Sequence, residues 1–284
     1  MRFSIIDVIR RSVKLRSPLK SFVVFLAIGL SYFYSSPLNA QDPAIPGLAY
    51  SRPFTSAPDI ARIAIIVGGL GLSKAGTQAA IQQLPGEVTL SFSSLSPNLN
   101  DWIAEARTAG HEVLLQFPVE EKTLRSRPEI RTPLNGEDNI NNLTRLNQLL
   151  SRVDGYVGMT NYMTSHFNLS EKSLEETLTN LQGRGLLFVD SLENPELSSS
   201  NIANRLGLTN VISDLFIDLE ASRISIDSRL LELESIAESG GTAVGIGYPY
   251  PVTIERIALW VQKLDKEKIV LAPISAVINR DRIN

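Results

Sequence analysis

From Arg62 to the C-terminal region, short apolar runs alternate with stretches of helical periodicity. The runs Ile63–Val67, Val88–Phe92, Val113–Phe117, Gly155–Met159, Leu186–Val189, Val211–Ile217, Ala243–Ile246 and Ile269–Pro273 read as strands. Between them, Lys74–Leu84, Asn100–Ala109, Asn142–Arg152, Glu171–Gln182, Asn201–Leu206, Ile226–Glu238 and Ile254–Lys266 read as helices. Each strand-plus-helix unit takes roughly 25–30 residues, the length of a βαβ step. Sustained alternation of this kind specifies an α/β domain with a parallel sheet covered by helices. With seven or eight units a closed or nearly closed barrel is expected ahead of an open doubly wound sheet, although periodicity alone does not show closure. In a barrel, functional side chains gather at the C-terminal ends of the strands. Here those ends are Gly68-Gly69, Ser93-Ser94, Gln116, Asn161-Tyr162, Asp190-Ser191, Asp218 and Tyr248.

The first 60 residues do not follow this rhythm. Residues 1–20 carry six basic side chains against the single acid Asp7, and no charge falls between Ser21 and Gln41. An apolar stretch, Phe22–Tyr34, precedes Leu38-Asn39-Ala40. Basic region, apolar region and small-residue site in that order form an export signal. Residues 1–40 are therefore expected to be a signal peptide cleaved after Ala40 or an uncleaved anchor in the inner membrane, and either places the remainder in the periplasm or cell envelope. Residues 41–60, rich in Pro, Ala and Ser, read as a linker, and residues 61–284 as the barrel domain. Without residues 1–40 the chain carries 21 basic and 29 acidic side chains, a net charge of −8, which argues against nucleic acid as a partner.

Composition narrows the chemistry further. The chain has no cysteine, so disulfides, thiolate nucleophiles and Cys-ligated zinc are excluded. It has two histidines, His111 and His166. His111 precedes its strand and is expected at the base of the barrel. His166 follows a strand end, either as a displaced ligand or as a solvated loop residue. No G-x-S-x-G elbow occurs, and the histidines are too few for a triad. Gly69-x-Gly71-x-x-Lys74 is an incomplete dinucleotide fingerprint, because its third glycine is missing. Trp102 and Trp260 fall within helical patterns and read as core. The longest connection, Glu120–Asn141, is charged and contains proline, and reads as a solvated excursion or a lip over the mouth.

The strand ends carry a recognisable series of motifs. Ile65-Ile66-Val67-Gly68-Gly69-Leu70-Gly71 resembles the V-I-D-D-L-G motif of the divergent polysaccharide deacetylase family. Gly110-His111-Glu112-Val113-Leu114-Leu115-Gln116-Phe117-Pro118-Val119-Glu120 resembles its G-H-E-V-L-L-H-L-P-M-E. Gly158-Met159-Thr160-Asn161-Tyr162-Met163-Thr164-Ser165 is similar to its G-V-N-N-H-M-G-S, and Phe188-Val189-Asp190-Ser191 to its F-x-D-S. Phe216-Ile217-Asp218 is similar to F-L-D, and Ile246-Gly247-Tyr248-Pro249 to I-G-H-P. The resemblance covers about residues 60–278 in order. It implies a distorted (β/α) barrel of the polysaccharide deacetylase type, with seven or eight parallel strands. It also implies hydrolysis of acetyl groups on polysaccharide, with a divalent metal such as zinc activating water beside a carboxylate base and a histidine acid.

The departures fall on the chemical positions. Gly68-Gly69 stands where the family has two aspartates, Gln116 and Tyr248 where it has histidines, and Tyr162 where its Asn-His pair ends. Glycine offers no ligand, Gln is a weak one, and Tyr is a rare one for zinc-like ions. The expectation is no metal and no cofactor, with Asp190 and Asp218 as the candidate catalytic acids. Each has an ordinary alternative, Asp190 as a turn cap with Ser191 and Asp218 as a turn residue. Glu120, Asn161, Tyr162, His166, Ser191 and Tyr248 are the candidate substrate-binding residues. Tyr248-Pro249-Tyr250-Pro251 is either a rigid turn or an amphipathic contact surface for sugar or peptide. The expected function is an exported, catalytically degenerate module that binds a glycan or an envelope protein. The alternative is an active metal-dependent deacetylase with a rearranged site.

Overall fold

A computed structural model describes residues 48–117, 139–162, 170–191 and 199–278. Residues 1–40, expected as an export segment, Glu120, most of the long connection after it, and His166 lie outside the described residues. Among the described residues, nine strands form a single parallel sheet: β1 (Ala61–Leu70), β2 (Thr89–Phe92), β3 (Val113–Gln116), β4 (Gly158–Thr160), β5 (Leu187–Asp190), β6 (Asn210–Ile212), β7 (Leu215–Phe216), β8 (Thr242–Gly247) and β9 (Ile269–Leu271). The α-helices that alternate with them among the described residues are α1 (Lys74–Gln83), α2 (Leu99–Thr108), α3 (Asn139–Arg152), α4 (Glu171–Gly183), α5 (Ser199–Leu206), α6 (Arg223–Gly240) and α7 (Pro251–Val261).

The sheet runs β6-β5-β4-β3-β2-β1-β8-β7, so its two edge strands are successive pieces of one short segment. β6 pairs with β5 and β7 pairs with β8. Between them, the Ser213 N–H donates to Asp190 O (2.9 Å) and the Asp214 N–H to Val244 O (2.8 Å). The chain thus crosses the seam by changing partners, and the sheet curls into a distorted (β/α) barrel. One run, Val211–Ile217, was expected as one strand. It divides because its two halves take hydrogen bonds from opposite sides of the seam. β9 pairs with Ala61–Ile63 of β1, below the part of β1 that β2 uses.

β1 shows why continuous apolar runs become central strands. Ile63, Ile65 and Val67 pack outward against the helices, while Ala64 and Ile66 join a separate cluster inside the barrel. Both faces are dry, so both must be apolar. One helix and one strand begin or end differently from expectation. α7 begins at Pro251, where a missing N–H costs nothing, and stops at Val261 before the turn that Asp265 closes. The strand expected at Gly155–Met159 starts only at Gly158, because Gly155 is a left-handed turn residue with φ 86°.

The base is closed by both ends of the domain. Glu112, fully buried, accepts the Arg52 N–H (2.7 Å), the Ser275 N–H (3.0 Å) and the Ser275 hydroxyl. The Arg52 guanidinium reaches Gly110 O (2.8 Å) and Glu87 (2.6 Å). Residues 48–60 therefore pack along the base of the barrel. His111 is also buried there, with Nδ1 2.8 Å from Val88 O and Nε2 3.2 Å from Ile81 O. That places it at the end of the barrel opposite the strand C-termini.

Candidate functional site

At the upper end of β1 the ladder slips. Val67 lies opposite Leu90 but Leu70 opposite Phe92, so Gly68-Gly69 bulges against Ser91. Bulges of this kind re-aim a strand near a site. The bulge brings the Gly68 backbone against Tyr162, which follows β4. A Cβ placed on Gly68 would stand 2.1 and 2.3 Å from two carbons of the Tyr162 ring, and 3.3 Å from Gln116 Nε2. Real atoms do not approach so closely, so the ring occupies the space of a β1 side chain. Tyr162 is fully buried.

The ring begins an aromatic series that rises to the surface. It stacks on Phe216 with centroids 6.0 Å apart, and meets Tyr248 at 5.3 Å. Tyr248 in turn stacks on Tyr250 at 5.4 Å. Tyr250 is 43% exposed. The apolar interior of the barrel is therefore continuous, through Tyr162 and Tyr248, with a tyrosine surface at the mouth.

Asp190, Asn161 and Ser191 form one buried network at the ends of β4 and β5. Asp190 accepts the Asn161 amide at 2.9 Å with one oxygen and the Ser200 N–H of α5 at 3.1 Å with the other. The Asn161 oxygen takes the Ser191 N–H (2.7 Å) and the Ser191 hydroxyl (2.9 Å). Asp218 is held apart from this set. Its Oδ2 accepts the Tyr248 N–H (2.8 Å) and the Thr253 hydroxyl (2.7 Å). Its Oδ1 is buried without a partner among the described residues, as is Gln116 Nε2. Burial pushes the Asp218 carboxyl above the ordinary carboxylate range, against the pull of those two hydrogen bonds.

A family description, divergent polysaccharide deacetylase, matches residues 65–278. The chain belongs to the divergent polysaccharide deacetylase family. The uncharacterized protein ATU2773 of Agrobacterium tumefaciens C58 is a similar solved structure, 34% identical with a TM-score of 0.74, over 82% of this chain and 94% of that one. The uncharacterized protein YibQ of Escherichia coli is 22% identical over 231 residues, 81% of this chain and 71% of its own length. An uncharacterized protein of Haemophilus influenzae is 22% identical over 206 residues, 72% of this chain and 73% of its own.

The divergent deacetylase resemblance implies a divalent metal, and the described residues at the corresponding positions do not fit one. The Tyr162 ring lies where a side chain of residue 68 would begin. Both Asp190 oxygens and one Asp218 oxygen are spent on protein donors. Among the described residues, no group of three or more His, Asp or Glu side chains gathers as a metal would require.

The candidate residues thus divide. Asn161, Asp190 and Ser191 come together, and Tyr162 joins Tyr248 beside Asp218, whereas Glu120 and His166 fall outside the described residues. Reading the residues one by one missed the exchange of volume between Gly68 and Tyr162. The trace was present as an acid replaced by nothing and an imidazole replaced by something larger. Phe216, Thr253 and Ser200 were also missed, since each matters only through a neighbour distant in sequence.

Proposed function

We propose that this chain is a non-metal member of its family, exported to the cell envelope, where it binds glycan at the barrel mouth rather than deacetylating it. The observation that carries this reading is the Tyr162 ring pressed on Gly68, which fills the floor of the mouth with an aromatic side chain. Tyr248 and Tyr250 supply the contact surface, because a tyrosine face packs against the C–H face of a sugar while its hydroxyl serves the sugar's rim. Asp190 and Asn161 hold the loop ends behind that surface, and Asp218 fixes the Tyr248 backbone.

The test uses purified protein supplied with zinc, cobalt or manganese, and measures acetate release from N-acetylglucosamine oligomers and soluble peptidoglycan fragments. No release above the protein-free rate is expected. Calorimetric titration of the same oligomers is expected to show saturable binding that Tyr250→Ala weakens at least about tenfold, equivalent to 1.4 kcal/mol. Acetate release abolished by a chelator, or no binding of either glycan, overturns the reading.

A further inference from the structure

Phe216, Tyr162, Tyr248 and Tyr250 form a single train of ring contacts from the barrel interior to the exposed rim. Tyr162, the fully buried ring, is its pivot, since it touches both the partly buried Phe216 ring and the first ring of the mouth. The pivot is held from behind by backbone, because Gly68 leaves no side chain between β1 and the ring. Tyr248 has a second support in the Asp218 carboxylate, which accepts its N–H and so fixes the main chain. On its inner side the Tyr248 ring rests against the fully buried Tyr162 ring.

We propose that Tyr162 is the positioning residue of the mouth: seated on Gly68, it props Tyr248 and, through Tyr248, sets the exposed Tyr250 face. Gly68 and Tyr162 then act as one unit, and neither can change alone without moving the tyrosine surface. The inference deepens the glycan-binding reading and rests on it for its functional meaning. Its structural content is testable without a glycan.

Two single variants and their combination separate positioning from plain packing. Gly68→Ala adds a methyl group into the Tyr162 ring, and Tyr162→Leu removes the ring. Each is expected to lower Tm by about 5 °C or more. Gly68→Ala/Tyr162→Leu refills the space with aliphatic volume and is expected to recover at least about half of the larger loss. Tm alone would follow any packing role. The decisive readout is the proton spectrum of Tyr250 in the glycan-free protein, specifically labelled at tyrosine.

In the wild-type protein the stacked Tyr248 ring is expected to shift the Tyr250 ring protons upfield. In the folded double variant that shift is expected to disappear, and titration with the N-acetylglucosamine pentamer is expected to weaken at least about tenfold. Unchanged Tyr250 shifts in a folded double variant overturn the inference, as do strictly additive Tm losses. If the wild-type protein does not bind the pentamer, the glycan reading fails. The ring-shift result still decides the role of Tyr162.

Discussion

Asp190 and Asp218 bring the same side chain to the ends of two strands, and their surroundings give them different energetics. Asp190 receives a donor on each oxygen, from the Asn161 amide and the Ser200 N–H. Removing a carboxylate of that kind takes the acceptor from the buried Asn161 amide and the part-buried Ser200 N–H. Asp190→Ala is therefore expected to cost about 2–4 kcal/mol in urea unfolding, and a loss below about 0.5 kcal/mol would show that the network carries no stability. Asp218 keeps both of its bonds on one oxygen, while the other is buried without a partner among the described residues. An amide keeps an acceptor for Tyr248 and Thr253 and removes the buried charge. Asp218→Asn is expected to change stability at pH 7 by less than about 1 kcal/mol, whereas Asp218→Ala loses at least about 2 kcal/mol. Both acids were legible in the sequence, because they close apolar runs where a barrel places its functional side chains. Their partners were not legible, since Ser200 and Thr253 become neighbours only once α5 and α7 fold back onto the strands.

The order and type of the elements could be read almost throughout, for a reason visible in β1 and β8. Both strands are dry on two faces, so they appear as unbroken apolar runs that no other element of such short length needs. What could not be read was the seam between β6 and β7. It depends on which neighbour each half of residues 210–217 meets, and that is a property of the curled sheet rather than of the segment. The start of α7 at Pro251 was missed for a simpler reason: apolar periodicity becomes clear only from Ile254, one turn later. Strand packing yields a prediction at this scale. A Cβ on Gly158 in β4 would stand 2.1 Å from the Leu187 carbonyl oxygen of β5, and a backbone atom cannot turn away as a side chain can. Gly158→Ala is expected to lose at least about 3 kcal/mol or to prevent soluble folding. Gly183, at the end of α4, has no atom within 4 Å of the corresponding position. Gly183→Ala is expected to stabilise by up to about 1 kcal/mol, by restricting the unfolded chain. Thermal unfolding of the two variants side by side checks the pair; equal effects would mean that the approach of β4 to β5 is not a packing constraint.

Taken as a whole, the barrel carries at each end a buried acid whose proton affinity burial raises, Glu112 at the base and Asp218 at the mouth. Burial raises both carboxyls above their ordinary values of 4.5 and 3.8, although Ser275, Arg52, Arg107, Thr253 and the Tyr248 N–H all pull the other way. An acid whose folded value is raised binds its proton more tightly in the folded protein than in the unfolded chain. Stability from these two groups is therefore fully present below about pH 4. It declines as pH rises through the interval between their ordinary and raised values, and is constant above it. The sign is opposite to that of a salt-bridged surface carboxylate such as Glu255, whose value is lowered by Arg223 and whose contribution is lost on acidification. Urea unfolding free energy measured from pH 4 to pH 8 is expected to fall with rising pH on account of the two buried acids. Glu112→Gln and Asp218→Asn should each flatten part of that slope, because neither amide titrates. The two ends also separate in what each variant does besides. Glu112 is the acceptor that joins the Arg52 strand-side segment to Ser275, so Glu112→Gln is expected to increase amide exchange around residues 50–54 and 274–277 while the mouth keeps its protection. Asp218→Asn is expected to alter exchange around Tyr248 and leave the base unchanged. A slope that rises with pH in the wild-type protein, or one untouched by both substitutions, would show that the two acids fold with their solvent-exposed proton affinities and that their burial is relieved on a scale the packed barrel does not allow.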